Sequence, residues 1–211
     1  MGAGPWKPKG EKRNLVGFKR MSLFHRITKD LKKQRAVREL VIRQTREALQ
    51  QSKLAIFAVH RGDDGGAQKL VEQAGKQLAH LQRQLKKRSR FLHDGNLLAA
   101  LEEFGEAWLV VEFARGKKMA FPKKPLLAPE QQIGALADFT GELGRRAVLM
   151  ATERKHKDVE KIYKTVSDVV RHLVEADLTG PARQKADEAK RNLKRIEEVR
   201  YDLSLRQKLV L

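Results

Sequence analysis

The chain contains no cysteine. Disulfides, thiolate metal sites and cysteine nucleophiles are therefore excluded, and a reducing compartment is compatible. No run reaches the eighteen or so consecutive apolar residues that a membrane span needs. The amino-terminal stretch lacks the apolar core of a secretion signal, and Trp6 stands where a myristoylation signal carries Ser or Thr. The expected location is the cytoplasm, with the nucleus as the alternative in a cell that has one. Sustained period-two alternation of β-branched residues is missing, so no sheet is expected. No repeat of 20–50 residues is visible either.

Acidic residues are in deficit. The chain carries 45 Lys or Arg against 26 Asp or Glu, a net charge of +19. Residues 1–50 hold fourteen of the basic residues and four of the acidic ones. A surplus of this size predicts a polyanionic partner, RNA or DNA before an anionic membrane; the alternative is a well-solvated surface.

What is present is helical periodicity. Residues 1–17, rich in Lys, Gly and Pro, read as a flexible basic arm ahead of a helical domain over 18–211. From Phe18 to about His60, Leu23, Ile27, Leu31, Val37, Leu40, Val41, Ala48, Leu54 and Phe57 recur at three- and four-residue steps. The stretch RGDDGG (Arg61–Gly66) favours a turn. A second amphipathic segment, Leu70 to Leu85, ends in the cluster KKRSR (Lys86–Arg90). Further helices are expected over Leu97–Ala114, Pro129–Met150, Asp158–Leu178 and from Pro181 to about Leu205. The chain thus reads as an all-α bundle that also packs against copies of itself.

The helix Leu97–Ala114 is apolar on nearly every side, yet carries Glu103 and Glu106 on one face. Charges are costly there unless something pairs with them. A second pair, Asp138 and Glu142, lies among Ala135, Ala137 and Gly141, small residues that let another helix approach closely. If the two faces oppose, four carboxylates converge, and they cannot all stay charged without cations. An oxygen-only set suits Mg²⁺ or Mn²⁺, which can polarise a phosphodiester and lower the pKa of a bound water. The plainer alternative is a wet acidic strip, with Glu142 paired to Arg145 or Arg146 along its own helix.

Other chemistries find no support. His60, His93, His156 and His172 show no H-E-x-x-H spacing, and Gly65-Gly66 is too short for a phosphate loop. His60, closing a long helix, reads as structural. Phe104 and Trp108 could stack bases, but their helical spacing on an apolar helix fits core packing. Arg88, Arg90, Lys117 and Lys118 are the candidates for phosphate contacts; their alternative is a solvated charge run.

These same residues resemble the translin family, and within it the factor X branch. The family's acidic motifs, E-x-x-E on one helix and D-L-T-G-E on another, are matched by EEFGEA (Glu103, Glu106) and ADFTGEL (Asp138, Glu142). QQSKLAIFAVHR (Gln50–Arg61) is similar to the family's first long helix, and LKRIEEVRYDLSLR (Leu193–Arg206) to its last. Phe139 departs from the usual Leu, and the subunit is more compact than the larger members. The resemblance implies a bundle of about seven helices, assembled into a hollow octamer that holds single-stranded RNA or DNA. It implies Mg²⁺-dependent endoribonuclease activity, with Glu103, Glu106, Asp138 and Glu142 as the metal-binding and catalytic set. A homo-oligomer, or one completed by a translin-type partner subunit, is expected. Two rivals remain: a non-catalytic translin-like binder of single-stranded RNA or DNA, and a structural helical protein such as a basic scaffold on ribosomal RNA.

Overall fold

The computed structural model describes residues 14–208, with side chains described from 22 to 205. Residues 1–13 of the expected basic arm lie outside the described residues. Six α-helices follow one another: α1 (Asn14–His60), α2 (Asp64–Leu85), α3 (Gly95–Ala114), α4 (Pro129–Thr152), α5 (His156–Glu175) and α6 (Gly180–Lys208). One turn of 3-10 helix, Ser89–His93, separates α2 from α3. No strand occurs among the described residues.

The helix ends have local causes. Asp63 caps α2 by accepting a hydrogen bond from the Gly66 amide at 2.8 Å, so Gly65 and Gly66 sit within the first turn of α2 instead of forming a loop. Asp94 caps α3 in the same way through the Asn96 amide. Pro129 opens α4, where its missing N–H costs nothing. α5 ends three residues short of the expected Leu178, because Asp177 takes a positive φ of 46°.

Two compact units are distinguished, Met1–Leu40 and Val41–Leu211. In the first, Leu23, Phe24, Ile27 and Leu31 along α1 are all exposed. The periodic apolar residues of this helix are therefore not all core, and in the second unit Leu54 and Phe57 are each 46% exposed. Periodicity reports a face that wants cover; one chain does not cover it.

In the second unit α4 is the centre, packed against α3, α5 and α6. Its valine-rich neighbour α5 buries Val159, Ile162, Val166, Val169, Val170 and Leu173. α3 is buried on most sides, with Leu97, Leu101, Phe104, Leu109 and Val111 among its core residues. The close approach of α3 and α4 depends on glycine. A Cβ on Gly105 would stand 2.9 Å from the Cβ of Ala135 and 2.7 Å from Leu127 Cδ2, both below contact distance. At the α4–α6 contact, Asn192 Nδ2 donates to Thr140 Oγ1 at 3.0 Å, and Thr140 donates to the Ala137 carbonyl.

Candidate active site

The short distance between α3 and α4 brings their acidic faces together. Glu103 and Glu106 lie on α3, Asp138 and Glu142 on α4. Glu106 is the most enclosed, only 9% exposed. Burial pushes its carboxyl up to about 8, and the charges of Glu103, Asp138 and Glu142 push the same way, opposed by Lys185. Glu106 makes no hydrogen bond or ion pair among the described residues, and its carboxyl oxygens keep a little contact with solvent. Burial also raises Glu103, against the pull of Lys53, whose Nζ lies 4.0 Å away; Asp138, Glu142 and Glu102 add to the rise. The four carboxylates thus act on one another electrostatically.

The two acids of α4 have cationic partners. Lys185, on α6, donates to both oxygens of Asp138 at 2.7 and 2.6 Å, and reaches Glu102 of α3 at 3.0 Å. Burial works to lower the Lys185 ammonium, but its bonds to Asp138 and Glu102 outweigh this and hold it above its ordinary range. Glu142 Oε2 lies 2.5 Å from His60 Nε2. That bond, with the nearby charges of His60 and Arg145, holds the Glu142 carboxyl below its ordinary value despite burial. A carboxylate can only accept, so His60 donates from Nε2, while its Nδ1 is buried without a hydrogen-bond partner among the described residues.

Sequence reasoning missed three members of this arrangement. His60 was read as structural, and Lys185 and Glu102 were not singled out. Neither cation leaves a local signal, since Asp138 and Lys185 are 47 residues apart and His60 and Glu142 are 82 apart. The intrahelical pairing expected for Glu142 is half present. Arg145 approaches it at 3.9 Å, whereas Arg146 donates to the Val59 carbonyl of α1.

The donor set fits a hard divalent cation in kind: oxygen ligands only, one of them a buried carboxyl with no partner. As they stand, no three His, Asp or Glu side chains among the described residues are grouped to hold a metal ion. Asp138 and Glu142 are instead engaged by Lys185 and His60.

The four candidate phosphate-contact residues are all exposed. Arg88 precedes the 3-10 turn and Arg90 lies in it, with its guanidinium 4.7 Å above the Phe91 ring. Lys117 and Lys118 occupy the loop after α3. Phe104 is fully buried, while Trp108 is half-buried and donates to the Ala120 carbonyl at 3.0 Å. In the carboxy-terminal stripe Ile196 is core, while Tyr201 is 63% exposed.

An all-helical bundle with acidic pairs facing each other across two close helices is the class these features define. Residues 36–207 match the model of the Translin family, and the chain belongs to that family. Solved structures agree in fold. The crystal structure of apo-NeC3PO superposes with a TM-score of 0.78 at 16% identity, covering 85% of this chain and 96% of that one. AfC3PO in complex with duplex RNA gives 0.75 at 20% identity, covering 86% and 96%. A crystal structure of AfC3PO gives 0.74 at 20% identity, covering 86% and 97%. A comparison with curated proteins finds no match.

Proposed function

We propose that this chain is a divalent-ion-dependent endoribonuclease of the factor X type, acting on single-stranded RNA inside an octamer. The observation that carries the reading is Glu106: a buried carboxyl without a partner, set among three other carboxylates on two helices held at close range. Glu103, Glu106 and Asp138 would hold Mg²⁺ or Mn²⁺. The metal, when bound, would polarise a phosphodiester and lower the pKa of a water. Glu142, fixed by His60, completes the acidic wall on the α4 side. Arg88, Arg90, Lys117 and Lys118 would neutralise phosphates without choosing among bases. A relative of the same fold is described with duplex RNA, which favours RNA as the ligand class. The exposed apolar residues of α1 favour assembly, either with copies of this chain or with a translin-type partner subunit.

A second reading has its own support. Lys185 and His60 neutralise two of the four acids, which suits a translin-like protein that shelters single-stranded RNA or DNA without cutting it. Labelled single-stranded and duplex RNA, incubated with Mg²⁺ or with EDTA, separates the two. Cleavage that requires both the metal and Asp138 is the expected result. Cleavage by Asp138→Ala at the wild-type rate would place the chemistry elsewhere, and tight binding without cleavage would establish the second reading.

A further inference from the structure

Lys185 stands between two acidic environments. On one side its ammonium holds both oxygens of Asp138; on the other it touches Glu102 at 3.0 Å. Lys185 and Glu102 also line a cavity of about 790 Å³ between the starts of α4 and α6, where Glu130 and Glu188 form further parts of the wall. The side chain therefore has room to leave Asp138 and acidic groups to go to.

Resting on the metal-dependent reading above, we propose that Lys185 is an internal counter-ion that competes with the divalent cation for Asp138, and that Glu102 is the post to which it withdraws when metal binds. An ammonium and a metal ion cannot share the two oxygens of one carboxylate without repulsion. While Lys185 stays on Asp138, the acidic cluster is short of a ligand and carries an extra positive charge beside it. Glu102 lowers the cost of the exchange because it gives the released ammonium a paired site. Lys185 is thus a positioning residue that sets metal affinity, and in the metal-free protein it offsets the charges of Asp138 and Glu102.

Binding of Mn²⁺ to the full-length protein without RNA, followed by electron paramagnetic resonance and calorimetry, reads this directly. Lys185→Met should tighten binding by about tenfold or more, since a competing unit charge at contact distance is removed. A variant with merely lost packing would bind more weakly. Glu102→Gln should weaken binding in the wild-type background and have much less effect in the Lys185→Met background, because its role is to receive the lysine. This second comparison decides the matter if Lys185→Met proves poorly folded, because Glu102→Gln should then fail to weaken binding when the lysine is instead shortened in Lys185→Ala. Unchanged or weaker Mn²⁺ binding in Lys185→Met, with the wild type binding, overturns the proposal and leaves the nuclease reading in place. Absence of Mn²⁺ binding in both the wild type and the lysine variants overturns both.

Discussion

α3 and α4 each bring two carboxylates to the same place, and the protein treats them differently. The α4 acids are neutralised by partners from distant elements, Lys185 of α6 for Asp138 and His60 of α1 for Glu142. The α3 acids of the cluster are met less closely. Glu103 has only a lysine at 4.0 Å, and Glu106 has no partner and is the more buried. A buried acid left alone rises in pKa and takes up a proton; an acid met by a cation stays ionised. The comparison teaches where a cation is still wanted. The α4 pair is balanced by the chain itself, and on α3 Glu106 is balanced chiefly by a proton or by something from outside.

The largest effect expected from this contrast is on pH-dependent stability. Glu106 is raised from 4.5 to about 8 in the folded protein, so the folded state binds this proton more tightly than the unfolded state. Its contribution is fully present below the unfolded value of 4.5 and is lost as pH rises through 8. Without divalent ions, chemical denaturation of the wild type should show a loss of roughly 3–5 kcal/mol attributable to this group across that window. Glu106→Gln should flatten the profile. Millimolar Mg²⁺ should flatten it as well in the wild type, by supplying the charge that the proton otherwise supplies. A wild-type profile identical to that of Glu106→Gln would remove the distinction between the two helices.

A smaller effect is expected where the pairing already exists. His60→Ala should leave the Glu142 carboxylate half-buried without its donor and cost about 1–3 kcal/mol, beyond which the lost ring adds a packing term. In Glu142→Gln the same histidine change should cost less, and the difference, read from denaturation of the two single variants and the double variant, is the worth of the bond. Additive costs would mean that His60 serves packing alone.

The helices were legible in the sequence for local reasons. Asp94 and Pro129 mark the starts of α3 and α4, and the spacing of Glu103 with Glu106, and of Asp138 with Glu142, places each pair on one helix face. The small residues around Asp138 announced a close helix contact, which Gly105 and Ala135 realise from the two sides. What closes the site electrostatically was not legible. Lys185 sits in a polar, lysine-rich stretch of α6 where nothing distinguishes it from its solvated neighbours, and His60 ends a helix as many histidines do. Their partners are fixed by tertiary packing, and no periodicity within one helix encodes that. The apolar stripe on α1 was legible as a helix, and in the single chain Leu23, Ile27 and Leu31 are exposed along it.

The smallest effect on the fold is expected at the exposed lysines, and there the comparison turns from stability to binding. Lys117 and Lys118 lie in the loop at the end of α3, without an ion-pair partner among the described residues. Replacing both with Ala should change stability by less than about 0.5 kcal/mol, because exposed side chains without partners contribute little. If they contact phosphates, the dependence of RNA affinity on salt should become shallower by about two units of slope, one for each lost contact. Affinity should fall to a similar degree for RNAs of different sequence, because phosphates carry no base information. Filter binding of two unrelated single-stranded RNAs across a salt series checks this. An unchanged slope would make the loop a solvated charge run and shift the phosphate contacts towards Arg88 and Arg90, whose paired replacement is the matching experiment on the other basic element.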